Sequence, residues 1–190
     1  MAMLQSILDQ LRARLNATLQ ASDPRSDDWV ALTNPVDLDG SVSESARNKI
    51  VMTLVGLQSE PAVGHFPPTI PSSGVRVAPP LHLDVLVLFV ANFTGSNYAT
   101  GLQMIWQTMI YFHQNPLFTR GELPGLPAGV DNVALGLVNL DLMQTNDLMA
   151  MLGLKYLPSA LYRMKNLTLT SGVQRAIAPA TRRPNASVIE

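Results

Sequence analysis

Residues 81–93 read Leu81-His-Leu-Asp-Val-Leu-Val-Leu-Phe-Val-Ala-Asn-Phe93, and this stretch decides the architecture. It opens with strict alternation, which sets His82 and Asp84 on one face, and turns continuously apolar from Leu86 to Val90. A period of two marks a strand, and an unbroken apolar run needs cover on both faces. A central strand is therefore predicted, with its polar start near one rim of a sheet. Broken by Asn92 and only nine residues long, the apolar run Val85–Phe93 is too short to cross a bilayer as a helix.

Upstream, the segment 59–80 carries Pro61, Pro67, Pro68, Pro71, Pro79 and Pro80, with Gly64 and Gly74 between them. Proline gives no ladder donor, so this segment is neither a helix nor a central strand but an extended arm, either a loop or a marginal hairpin. Before it, Asn48 to Leu57 is dense enough in apolar residues to be a strand covered on both faces for much of its length. The stretch 22–45 is long and irregular, with only Trp29–Leu32 suited to a brief strand. Either Trp29 anchors it on the core or a neighbouring subunit orders it. At the start, Leu4, Ile7, Leu8, Leu11, Leu15 and Leu19 form one helical stripe that must stop before Pro24.

Downstream, Thr94-Gly-Ser-Asn97 offers caps for a helix running to about His113. Leu102, Ile105, Trp106, Met109, Ile110 and His113 share a side of it, so Trp106 is expected to anchor the core. Asn115-Pro116 ends that helix, and 119–129 reads as a loop. A third strand is expected at Val133–Leu140 and a short helix at Asn146–Leu152, capped by Thr145 or Asn146 and stopped at Gly153. A fourth strand, Ala160–Thr170, changes its apolar phase near Asn166, which signals a bulge or an edge. The resulting fold class is α/β, a single twisted mixed sheet of four to six strands with helices packed mainly on one face. One domain is expected at 1–172, followed by a flexible or partner-bound tail at 173–190 that holds Arg175, Arg182 and Arg183.

Composition narrows the function classes. The chain has 190 residues, a net charge of -1 and no cysteine, which removes disulfides, thiol catalysis and thiolate metal sites. No global field attracts nucleic acid or an anionic membrane. Charged residues make up 14%, against an ordinary share of about a quarter, and Lys49, Lys155 and Lys165 are the only lysines. So sparse a charged surface fits contact with other subunits and, equally, a monomer that is merely weakly charged. The N-terminus lacks a basic n-region and is no signal peptide. The glycosylation-like triplets at Asn16, Asn92, Asn166 and Asn185 are then chance matches.

The search for chemistry leaves no catalytic, cofactor-binding or metal residue to assign. The three histidines, His65, His82 and His113, have no ligating partner three or four positions away. His82 with Asp84 is the best acid–base pair on offer, and reads more simply as two polar residues at the wet end of a strand. No G-x-S-x-G elbow surrounds a serine, and Ser96 sits among capping residues. Gly125, Gly129 and Gly136 are too scattered to cradle phosphate. The tail arginines lack the interleaved aromatics of a nucleic-acid site.

Four stretches together resemble the domain-of-unknown-function 4255 family, the N-terminal domain of the cap or tube-terminator protein of phage-tail-like contractile injection systems. They are the opening MAMLQSILDQLRARL, then Pro79-Pro-Leu-His-Leu-Asp-Val-Leu-Val-Leu88, then Leu102–His113 with Asn115-Pro116-Leu117, and Leu154-Lys-Tyr-Leu-Pro-Ser-Ala-Leu-Tyr162. The last is the most specific: Pro158 fixes entry to a strand whose Tyr162 faces inward, while Tyr156 is expected to pack the preceding turn. The likeness covers about residues 1–170. It departs from the family where Val87 or Phe89 replaces a tyrosine and where Met52–Leu57 replaces a more polar strand.

The resemblance implies a structural subunit without cofactors: a self-associated ring, a hexamer, closing the distal end of the inner tube and anchoring the last sheath ring. Its partners would be itself, the inner tube protein and the sheath protein, with no nucleic acid and no membrane. It would be made and assembled in the bacterial cytoplasm, in a particle that is released or retained. The further C-terminal domain of some relatives is expected to be absent. A closed ring satisfies every heterologous contact, as a terminator requires. The alternative is an assembly or adaptor factor of the same machinery, absent from the finished particle.

Overall fold

The computed structural model describes residues 3–37, 39–60, 75–77, 81–126, 129–169 and 174–176. Its first helix, α1 (Met3–Ser22), buries Ile7, Leu8, Leu11, Leu15 and Leu19 and ends ahead of Pro24 as the stripe requires. Trp29 then decides between the two readings of the irregular stretch, because it is buried. Its indole N–H donates to the Asp23 carbonyl at 2.7 Å, its ring stacks on Phe93, and the Arg25 guanidinium lies 3.9 Å above it. Asn16 fastens the same point from the helix, its Oδ1 accepting from the N–H of Trp29 and of Val30. This places β1 (Val30–Leu32) parallel to β2 (Lys49–Ser59).

β2 is buried on both faces only in its first half. Beyond the register shift between Leu54 and Gly56 it emerges toward solvent. Of the proline-rich arm, β3 (Val75–Val77) is described and pairs antiparallel with β8 (Gln174–Ala176), an element the sequence reading did not foresee. Residues 61–74 and 78–80 of the arm and 177–190 of the tail lie outside the described residues.

β4 (Leu81–Asn92) is the central strand anticipated from its apolar run. It pairs antiparallel with β2 on one edge and β7 (Ser159–Leu169) on the other, and its side chains serve two cores. Val85, Val87, Phe89 and Ala91 meet α1 and α2 (Tyr98–Gln114), where Phe89, Phe112 and Tyr162 form a cluster with centroids 4.9–5.7 Å apart. Leu88 and Val90 meet Val51, Leu161, Ala46 and Met149 on the opposite face. The sheet closes outward through β6 (Asn132–Val138) to the short β5 (Leu117–Thr119), in the order β1-β2-β4-β7-β6-β5. It is a curled, mixed, six-stranded sheet with its two long helices on one face, the fold class read from the sequence.

Three local expectations are corrected. The short helix α3 (Leu142–Met151) starts four residues earlier than expected, because Asp141 and Gln144 make a reciprocal capping box that outranks Thr145 and Asn146. Gly153 does end it, at φ +68°. No side chain of Thr94 or Asn97 caps α2; a 3₁₀ turn at Gly95–Asn97 leads into it. Tyr156, expected to pack a turn, is 70% exposed. The loop expected after Thr119 is irregular over residues 120–126, as read, and docks on α1: Arg14 donates to the Glu122 carbonyl at 2.8 Å, and the Gly125 N–H donates to Gln10.

Candidate functional site

The bulge signalled at Asn166 is present and explains where the expected polar pair goes. Leu83 faces Leu167 and Val85 faces Met164, so Asp84 alone opposes both Lys165 and Asn166, the latter at φ 69°. The extra residue turns Asp84 inward, to 2% exposure, rather than leaving it at a wet rim. Its carboxylate lies 3.7 Å from Arg163 Nε, while His82 Nδ1 is hydrogen-bonded to Thr168 at 3.1 Å. The two side chains thus engage different partners. His113 is exposed at the end of α2, Ser96 is exposed in the 3₁₀ turn, Arg175 lies in β8, and His65, Arg182 and Arg183 fall outside the described residues. Among the described residues no group of three His, Asp or Glu is placed to hold a metal ion, and no helix is long and apolar enough to cross a membrane.

The site that does emerge is one the sequence reading assigned to the core. Trp106 is 63% exposed, not an anchor. The buried side of α2 is Gly101, Met104, Ile105, Thr108 and Phe112, rotated by about one residue from the expected stripe, which is about 100° of helix. Two residues make that rotation possible. Gly101 lets the helix approach Phe93, where any Cβ would meet the Phe93 Cβ at 2.8 Å. Thr108 is fully buried because its hydroxyl donates to the Met104 carbonyl at 2.9 Å. A small residue and a polar one thus took the core positions, a signal that a purely apolar stripe search passes over.

The rotation leaves Tyr98, Leu102, Trp106 and Ile110, spaced by four, as an apolar ridge facing outward. Beside it runs a groove of about 500 Å³, walled by Trp106, Ile110 and His113 of α2 and by Leu135, Leu137 and Tyr162 of the sheet. Leu137 and Leu117 extend the exposed apolar surface. Burial of its ring pushes the Tyr162 phenol above its ordinary pKa. On the other side of the sheet Leu142, Met143 and Met151 of α3 are exposed as well. Apolar exposure gathered into a ridge and groove marks a contact surface. What the arrangement offers chemically is docking, through shape and apolar area.

Known structures carry the same fold. The sheath/tube terminator of an extracellular contractile injection system (PVC), solved by cryo-EM in its extended state, matches over 97% of this chain and 62% of its own, with a TM-score of 0.60 at 14% identity. The tube-terminating cap of the anti-feeding prophage (AFP) matches over 93% of this chain and 60% of its own, with a TM-score of 0.50 at 13% identity. The chain therefore spans about three-fifths of each. No curated protein matches it. The model of one family, the Pvc16 N-terminal domain, matches residues 6–183, nearly the whole length, and the chain belongs to that family.

Proposed function

We propose that this chain is a structural subunit that closes the distal end of the inner tube of a contractile injection system and anchors its last sheath ring. The observation that carries the reading is a fold held in common with a sheath/tube terminator along 97% of the chain, within a family match over residues 6–183. The outward ridge of α2 and the exposed α3 face support it, since both are surfaces suited to neighbours. In this reading the subunit forms a sixfold ring, contacts inner tube and sheath proteins, performs no covalent chemistry and uses no cofactor. Assembly takes place in the bacterial cytoplasm. We take the domain-of-unknown-function 4255 resemblance to denote this same cap family.

The test is the composition and length of purified particles. The chain is expected at ring stoichiometry by quantitative mass spectrometry, and loss of its gene is expected to give tubes of irregular length. Its absence from finished particles, with assembly still impaired, would transfer the assignment to an assembly factor. Normal particles without it would end both readings. Deleting residues 62–76 tests separately whether the proline-rich arm reaches a neighbour, since unchanged rings and particle lengths would exclude that contact.

A further inference from the structure

Two grooves meet along one short stretch of backbone. The apolar one beside Trp106 and Ile110 lies on the α2 side of the sheet. A second, of about 440 Å³, lies toward the opposite face beside Ala134, Arg163 and Lys165. Pro116, Leu135, Gly136 and Leu137 line both, so the outer edge of β6 is the wall they share.

That edge is open. The Leu135 N–H points away from β7 and donates to the Pro116 carbonyl at 2.8 Å. Backbone groups of a strand point to the same side at every second residue, so Leu137 aims its N–H and C=O outward too. Nothing in β5 reaches them. Its register runs only from Thr119–Asn132 to Leu117–Ala134, and just before it the chain belongs to α2, where the Asn115 N–H returns to the Tyr111 carbonyl. A strand paired on one side with free backbone groups on the other is a template for a further strand.

We infer that the β6 edge is a docking site for an extended segment of another protein whose side chains alternate between apolar and acidic. The alternation follows from the two grooves, because a strand laid beside Leu137 sends successive side chains to opposite faces. One set enters the groove beside Trp106 and Ile110. The other lies over Arg163 and Lys165, where among the described residues Arg163 pairs with the buried Asp84 carboxylate and Lys165 has no ion pair. This surplus positive charge selects acidic side chains and rejects basic ones. Backbone bonds to Leu137 supply affinity, and the grooves supply register. The inference goes beyond the terminator reading and holds whether or not the chain closes a tube.

The experiment uses the full chain and two fluorescein-labelled peptides, one alternating valine with glutamate and one alternating valine with lysine. Fluorescence anisotropy is expected to show saturable binding of the glutamate peptide, with the lysine peptide weaker by about tenfold or more. The Leu137 amide is expected to gain protection from hydrogen exchange. Leu137→Pro removes the outward N–H while sparing the bonds to β7. Trp106→Glu alters the groove at an exposed position. Each is expected to weaken binding by about tenfold while Trp106→Glu leaves the melting curve unchanged. Lys165→Glu is expected to reduce the preference for the acidic peptide. No saturable binding at millimolar peptide, equal binding of both peptides, or binding indifferent to Trp106→Glu overturns the inference. So does concentration-dependent self-association that Trp106→Glu abolishes, which would give the edge to a second copy of the chain.

Discussion

Arg163 Nε stands 3.7 Å from the carboxylate of Asp84 across the β4–β7 ladder, with the acid buried and the arginine side chain as a whole 40% exposed. Asp84 Oδ1 has no hydrogen-bond partner among the described residues, so the nearby positive charge is its main compensation. Removing it with Arg163→Met is expected to cost about 1–2 kcal/mol, less than for a fully enclosed pair because water screens the arginine. The double variant Asp84→Leu/Arg163→Met is expected to regain much of that loss, since apolar side chains pack there without desolvated charge. Urea denaturation of the three chains checks this; an unchanged midpoint for Arg163→Met would mean that the pair contributes nothing.

Gly101 faces Phe93 at a distance that no side chain fits. Alanine normally favours a helix over glycine by about 1 kcal/mol. Here the added methyl would strike the Phe93 Cβ, close to the backbone, and must push α2 off the sheet. Gly101→Ala is therefore expected to destabilise by about 1–3 kcal/mol despite its better propensity. Thermal melting reads the sign directly.

Tyr162 is held neutral by burial, so its phenol ionises above its ordinary pKa in the folded chain. A raised folded pKa contributes stability that is fully present below the unfolded value and is lost as pH rises through the folded one. Alkaline unfolding is expected to steepen above about pH 10, the ordinary phenol value. Tyr162→Phe should flatten that loss with little effect at neutral pH. Tyr111 is raised for the same chief reason, so Tyr111→Phe should act in the same direction. Stability measured from pH 7 to 11 in both variants decides the point.

Asp141 accepts the Gln144 N–H at 2.7 Å while the Gln144 side chain accepts the Asp141 N–H at 3.1 Å. Asp141→Ala removes one half of this arrangement and is expected to cost about 1 kcal/mol. The loss should appear first as faster amide exchange at Gln144, with β4 amides unaffected below global unfolding. Equal acceleration across the sheet would contradict a local capping role.

Much of the sheet was legible because its strands carry their own burial code. β4 and β7 alternate or run apolar over lengths that only a covered strand explains, and the phase change at Asn166 located a real bulge. β5 and β8 were not legible, since three residues carry no measurable period and their pairing is settled by tertiary contacts. The helix α2 misled for a different reason. Its two apolar stripes lie one residue apart, and the choice between them rests on Gly101 and Thr108, whose value depends on Phe93 and on a backbone carbonyl. The groove beside Trp106 was hidden by the same error, and the open edge at Leu137 by the brevity of β5. The surfaces for contact needed the fold.

β4 acquires its two neighbours at very different times during synthesis. β2 precedes it, but its other edge is covered only by residues 159–169. At roughly 5–20 residues per second, the ribosome leaves that edge waiting for about 4–15 seconds after Asn92 is made. During this interval a strand with a continuous apolar run has one row of amides and carbonyls unclaimed. An unclaimed edge of this kind is a template for pairing with a second copy of the chain, so slower translation through 93–169 is expected to favour aggregation.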